Sequence, residues 1–217
     1  MKKIIIEKIQ PKSEEKNVET AERNLGLLKS NAIDCNNWKE QFPYSPKASF
    51  VIAHDGQQIY LQFTVSETEV MAMVENDNGE VWNDSCVEFF ISFDNKLYYN
   101  FEFSCIGKLL LSHRENKDQS SAAKPEILNL IKRKSSLGEN NFDKKNINKP
   151  WSLTAIIPKE AFWKDEIKSF DGLQAKGNFY KCGDKLSVPH YLSWAPIATD
   201  NPNFHIVSAF ETLVFEA

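Results

Sequence analysis

The chain has 217 residues, 41% of them hydrophobic and 26% charged, with a formal net charge of −4. A chain of that length buries about 70% of its unfolded surface, so its core needs neither disulfides nor a metal. The acidic balance argues against a phosphate-backbone partner, and Cys35, Cys86, Cys105 and Cys182 show neither a CxxC pair nor metal-ligand spacing with the histidines.

The N-terminal apolar run, Ile4-Ile5-Ile6, falls short of the about 7–15 apolar residues of a signal peptide. No run reaches membrane-spanning length. The expected location is cytoplasmic for the chain as it stands, or periplasmic or extracellular if a leader has been removed. Residues 4–9 read as a first strand and residues 11–22 as a polar loop or frayed helix. An aromatic-bearing segment, 38–43, stops at Pro43 and Pro46. Residues 49–53 and 58–65 form a hairpin around His54-Asp55-Gly56-Gln57, since Asp-Gly is a strong turn signal. Strand 70–74 runs into the turn Glu75-Asn76-Asp77-Asn78-Gly79. Its composition suits calcium but lacks EF-hand order and a closing glutamate, which leaves a structural calcium open.

Strands 86–93 and 98–105 follow, joined by Asp94-Asn95-Lys96, and then a shorter one at 109–112. Residues 113–150 are mostly polar around an apolar island at 127–131, read as an excursion near a binding rim or a mobile stretch. Strand character returns at 151–157, with one helical turn at 158–162 and further strands at 177–182, 191–194 and 212–215. Many short strands with few helical periods predict an all-β antiparallel β-sandwich with one or two short helices. The expected count is one domain over residues 1–217, with 1–30 as an N-terminal strand and extension.

Alternation in residues 86–92 puts Val87, Phe89 and Ile91 on one face and Glu88, Phe90 and Ser92 on the other. The first set reads as core. The second sets a carboxylate beside an aromatic, which suits a ligand that is polar but has an apolar side, such as a sugar. The next strand places Asn100, Glu102 and Ser104 opposite in facing to Phe101, Phe103 and Cys105. A hairpin would bring Glu88 and Glu102 to one sheet face, where two ionised carboxylates repel unless something cationic or hydroxyl-rich lies between. Three readings stay open: acceptors for sugar hydroxyls, with Asn100 and Ser104 as mixed partners, a glycosidase acid–base pair about 5–9.5 Å apart, or solvated outer-face residues. Trp82, Trp194 and Phe204 lie beside turns or strand ends, where a sandwich gathers its loops. A tryptophan there can stack on the C–H side of a pyranose ring. Trp151, by contrast, opens an apolar strand and reads as core. The four histidines lie far apart with no HExxH, and no phosphate-binding loop, nucleophile elbow or dinucleotide fingerprint occurs.

Four segments occur in an order that resembles the family 9 carbohydrate-binding modules and their DOMON-like relatives. They are Trp82-Asn83-Asp84-Ser85-Cys86-Val87-Glu88-Phe89-Phe90, Tyr98-Tyr99-Asn100-Phe101-Glu102-Phe103, Trp151-Ser152-Leu153-Thr154-Ala155-Ile156-Ile157-Pro158 and Phe204-His205-Ile206-Val207-Ser208-Ala209-Phe210. The resemblance covers roughly residues 30 to 217 and implies a jelly-roll type β-sandwich. It further implies binding of a glucan or xylan chain end, with a sugar ring held between two aromatic side chains. By motif position Trp82 and Phe204 match the two walls, Glu88 a sugar-binding glutamate, Asn201 a family asparagine and Tyr180 a hydrogen-bonding position. Glu102 and Ser104 stand where the family pattern has an arginine and an asparagine, and the second wall is Phe rather than Trp. Calcium stabilises some relatives, and others with this fold carry haem, for which this sequence shows no clear ligands. The expectation is non-catalytic binding of an oligosaccharide or polysaccharide in polysaccharide utilisation. The alternatives are a glycoside hydrolase using Glu88 and Glu102, or an interaction domain with a decayed sugar site; no nucleic-acid or membrane-spanning role is expected.

Overall fold

The computed structural model describes residues 2–10 and 17–217. The strands are β1 (Lys3–Lys8), β2 (Asn31–Ile33), β3 (Lys47–His54), β4 (Gln58–Ser66), β5 (Glu69–Ala72), β6 (Cys86–Ser92), β7 (Tyr98–Ser104), β8 (Leu109–Arg114), β9 (Ser120–Ala122), β10 (Lys132–Ser135), β11 (Phe142–Asn146), β12 (Trp151–Pro158), β13 (Gln174–Cys182), β14 (Tyr191–Ser193) and β15 (Glu211–Phe215). Two helices join them, α1 (Val18–Leu25) and α2 (Pro125–Leu128). One continuous path runs β10-β12-β4-β3-β1-β15-β13-β6-β7-β8-β9, with β2 on β3 and β14 on β13, while β11 pairs with β5 apart from it.

The path folds over itself at β1. Residues 3–6 of β1 pair in parallel with β15, whereas Glu7 and Lys8 pair in parallel with the end of β3. At the other end of the same seam, Cys35 bridges to Ser193. One strand thus serves two sheets, and the sheets close on each other as a β-sandwich. Between them Phe50 stacks on Phe179 (3.5 Å, 13°), and Phe179 stacks on Phe89 (4.8 Å, 13°). Phe50 comes from one sheet and Phe89 and Phe179 from the other, so these rings tie the layers together.

Local chemistry sets the turns. Gly56 takes φ +84° between β3 and β4, and Asn95 takes φ 64° between β6 and β7. Asp94 Oδ1 accepts from Lys96 N and Leu97 N at 2.8 Å each, fixing that second turn. Helix α1 starts at Asn17, whose side chain accepts from Thr20 N. It lays Val18, Ala21 and Leu25 over Ala53, Tyr60 and Ile156, on the outer side of β3, β4 and β12. Residues 11–16 of the expected loop lie outside the described residues.

The hairpins at 47–66 and 86–104 follow the sequence reading, with β6 and β7 in register so that Glu88 faces Glu102. Residues 113–150 do not. They hold β9, α2, β10 and β11, where the sequence showed one polar excursion. These strands lie at sheet edges or in the small pair with β5, with none of their residues buried, so they need no apolar alternation. The outer face of β6 also departs from expectation, because all seven of its residues are buried.

A buried ion pair spans the sandwich interior. Lys181 Nζ on β13 lies 2.9 Å from Glu67 Oε2, just past β4, and both side chains are fully buried. Glu67 Oε1 accepts from Trp151 Nε1 at 2.7 Å, and Lys181 Nζ also donates to Cys182 O. His190 sits 3.5 Å from the same Glu67 oxygen, its pKa pushed down to about 3 by burial and by Lys181, so it stays neutral. Removing one member of such a pair strands the other charge, at a cost of about 3–5 kcal/mol. Lys181→Met should therefore lower the unfolding free energy in urea by that amount; a loss under about 1 kcal/mol would show the pair to be dispensable.

Candidate functional site

The outer face of β13, β6 and β7 is roofed by residues outside those strands. Trp38, Val81, Ile197, Phe204 and Phe210 pack with Cys86, Phe90, Tyr98, Tyr180 and Cys182 into a second apolar cluster. Trp38 Nε1 donates to Thr199 O at 2.8 Å, which pins the roofing loop. Where this roof stops, a cavity of about 310 Å³ opens over the strands.

One wall is Trp82, on a single 3-10 turn at Val81–Asn83. The turn is held on both sides. Asp84 Oδ2 accepts from Met73 N and Val74 N at 2.9 Å each, and Trp82 O accepts from Asp184 N. The opposite wall is Phe204 with Tyr191 and His205. Phe204 stacks on Tyr180 (4.3 Å, 13°), and Tyr180 Oη donates to Phe204 O at 3.1 Å. The ring is 8% exposed, so it offers an edge of its surface rather than a full face. His205 Nδ1 pairs with Tyr98 Oη at 2.8 Å. Burial pushes the His205 pKa down to about 3, aided by Arg114 and Lys117, so the wall carries a neutral imidazole.

The floor is polar and nearly dry. Glu88 and Glu102 are each 3% exposed and directly opposite across β6 and β7. Glu88 Oε1 accepts from Cys182 Sγ at 3.1 Å. Glu102 Oε1 accepts from Asn100 Nδ2 at 2.6 Å, and Asn100 Oδ1 accepts from Arg114 Nε at 3.0 Å, a relay from guanidinium to carboxylate. Burial pushes Glu102 up to about 7, against the Asn100 hydrogen bond and the Arg114 charge. Burial pushes Glu88 well above the carboxylate range, and the neighbouring thiol and Glu102 push the same way. Keeping one or both carboxyls neutral relieves the repulsion that ionised neighbours would suffer. Neutral carboxyls also donate as well as accept, which widens what the floor can pair with. At the rim, Asp184 hydrogen-bonds Tyr191 and is itself raised by burial.

Of the residues expected from sequence, Trp82, Glu88, Glu102 and Phe204 line the cavity. Tyr180 lies behind Phe204, fully buried. Ser104 lies opposite Cys86, its hydroxyl accepting from Lys108 N, and does not line the cavity. Asn201 is exposed in the roofing loop, while Asn203, two residues on, reaches the rim. Sequence reasoning passed over Arg114, Lys117, Cys182, Asp184, Tyr191 and His205. The missing cation of the second strand comes instead from Arg114 at the end of β8. The signal for it was the placement of the 113–150 stretch near a binding rim.

The acidic turn at 75–79 is committed to protein donors. Asp77 accepts from both Arg133 amino groups at 2.9 Å and from Leu109 N, while Asn78 Oδ1 accepts from Leu111 N. Cys86 on β6 faces Cys182 on β13, and all four cysteines are free thiols.

The profile of carbohydrate-binding family 9 matches residues 22–215. The chain belongs to carbohydrate-binding family 9. The family 9 chain is 40% identical to a proposed carbohydrate-binding protein from Bacteroides uniformis ATCC 8492, covering 99% of both chains with a TM-score of 0.95. Two solved family 9 modules from Caldicellulosiruptor kristjanssonii also share its fold. One, in complex with glucose, is 14% identical with TM-score 0.55 over 99% of this chain and 96% of that one. The other, in complex with cellotriose, is 13% identical with TM-score 0.59 over 99% and 94%. No curated protein sequence matches the chain. Among the described residues, no helix is long and apolar enough to cross a membrane.

The raised Glu102 gives a stability signature. A carboxyl with a pKa of about 7 when folded, against about 4.3 unfolded, binds more protons in the folded state between those values. Its contribution is intact below about pH 4.3 and is lost as pH rises through 7. His190 and His205, held neutral, act in the opposite direction below about pH 6.5, so the Glu102 share is read as a difference. Between about pH 5 and pH 8 the urea midpoint of the wild type should lose ground relative to that of Glu102→Gln. A constant offset between the two across that range would place the proton elsewhere.

Proposed function

We propose that the family 9 chain binds carbohydrate without catalysis, holding the end of a glucan-like chain in the cavity between Trp82 and Phe204. The observation that carries this reading is an aromatic-walled cavity with a dry floor of hydrogen-bonding carboxyls. A pyranose has an apolar C–H face for the Trp82 ring and hydroxyls for Glu88, Glu102 and Arg114. The relatives solved with glucose and cellotriose support a glucosyl ligand. Trp82 is the adaptable wall, since it is half-buried, while Phe204 and Tyr191 are fixed by packing. Pro202 and Asn203 complete the lining beside Phe204. Affinity is modest, because one or two sugar rings bury little area and keep bridging water.

A hydrolase would need one carboxyl on each side of a scissile bond. Glu88 and Glu102 instead sit side by side beneath the cavity, each with an oxygen engaged by a neighbour. That arrangement supports binding over cleavage. Trp82→Ala should weaken cellotriose binding about tenfold or more by calorimetry, a loss of about 1.4 kcal/mol or more, with the urea midpoint unchanged. Unaltered affinity in that variant would remove Trp82 from the site, and reducing-sugar release abolished by Glu88→Gln would favour the hydrolase.

A further inference from the structure

At the cavity floor lies a group of donors of which the binding reading uses only Glu88. Cys86, Glu88 and Cys182 are all buried, and one donor atom from each falls within 4.8 Å of the others. Cys86 and Glu88 project from the same face of β6, two residues apart, and Cys182 is the direct cross-strand partner of Cys86 on β13. Cys182 Sγ lies 3.1 Å from Glu88 Oε1. Among the described residues this is the one such group of three. Cys105 makes a useful contrast, since it packs in the interior core and its Sγ donates to the Met71 carbonyl.

We propose that Cys86, Cys182 and Glu88 form a binding site for a single thiophilic divalent cation of the zinc type, open toward the cavity at its fourth position. Tetrahedral zinc with two sulfurs and one oxygen sets its donors about 3.6–3.8 Å apart, given Zn–S of about 2.3 Å and Zn–O of about 2.0–2.2 Å. The three donors lie within 4.8 Å of one another and Cys182 Sγ is 3.1 Å from Glu88 Oε1, a span that brackets those edges. Small side-chain rotations suffice, because two rigid, hydrogen-bonded strands fix the backbones. Two thiolates and a carboxylate around a divalent cation leave a net charge of −1, the same as an ordinary Cys3His zinc centre. Arg114 and Lys117 at the rim offset that charge from the cavity side. Soft sulfur donors select zinc over calcium or magnesium, which prefer all-oxygen shells. On binding, both thiols release their protons to solvent, as does Glu88 when it is protonated. Glu88 and Cys182 line the cavity whereas Cys86 does not, so the fourth position faces the opening, where water fills it.

The site stands on the thiol geometry and not on the identity of the sugar, so it is tested with metal alone. The full chain, reduced with a phosphine and stripped by chelation, is incubated with zinc or cobalt(II) and desalted. One equivalent of zinc per chain is expected, and the cobalt form should show a sulfur-to-metal charge-transfer band with intense tetrahedral visible absorption. Both should vanish in Cys86→Ser/Cys182→Ser and persist in Cys105→Ser. If the double variant loses its near-ultraviolet dichroism, Cys182→Ser alone carries the test. It should weaken zinc by at least the roughly tenfold that loss of even an outer-shell partner brings. A folded wild-type chain that retains no zinc, a cobalt form without the sulfur band, or full retention in the cysteine variants would each overturn the proposal. Cellotriose titrations of the stripped chain report the sugar site separately.

Discussion

Strands β6, β7 and β13 are covered on both faces, and most of the molecule's chemistry descends from that burial. One face joins the interior between the sheets through Val87, Phe89, Phe101, Phe103 and Phe179. The other is roofed by residues outside those strands, among them Trp38, Ile197, Phe204 and Phe210. A polar residue on the roofed face therefore cannot turn to solvent, and must find its partner within the fold. Asn100, Glu102 and Arg114 do so as a chain of hydrogen bonds, and Glu88 does so through a thiol. A carboxyl in so dry a place is held neutral more readily than charged.

The cavity marks the gap in that roof. Its aromatic walls are the exposed margin of the second apolar cluster, and its floor is the polar part of the same strands. A site of this kind is assembled before any ligand arrives. The Trp82 turn is anchored through Asp84, and the Phe204 ring is set by Tyr180 behind it. Preorganisation of this sort lowers the ordering cost of binding, which matters for a ligand as small and wet as a sugar end. The Glu67–Lys181 pair supports the same strand from its interior face, since Lys181 lies between Tyr180 and Cys182.

Much of this was legible in the chain. The hairpins at 47–66 and 86–104 announced themselves through Asp-Gly and Asp-Asn turns and strict alternation. Motif order singled out Trp82, Glu88 and Phe204, which line the cavity, whereas Tyr180 lies behind Phe204. The remainder was hidden for physical reasons. Alternation assigns a residue to a face but does not say whether that face is roofed, so Glu102 read as one half of a solvent-facing or ligand-facing pair. Arg114 and Lys117 lay in a polar stretch without period, because β8 loses its apolar residues after Leu111 and Lys117 sits in the turn that follows it. Cys86 and Cys182 are 96 residues apart in sequence, and only the pairing of β6 with β13 makes them neighbours.

The central claim is that the gap between Trp82 and Phe204 receives a sugar. A crystal structure of the chain with a bound cello-oligosaccharide tests it most directly. The account predicts a terminal glucosyl ring lying against Trp82, with hydroxyls within hydrogen-bond distance of Glu88 or Glu102 and of Arg114. A sugar bound on another face of the sandwich, with this cavity holding only water, would contradict it.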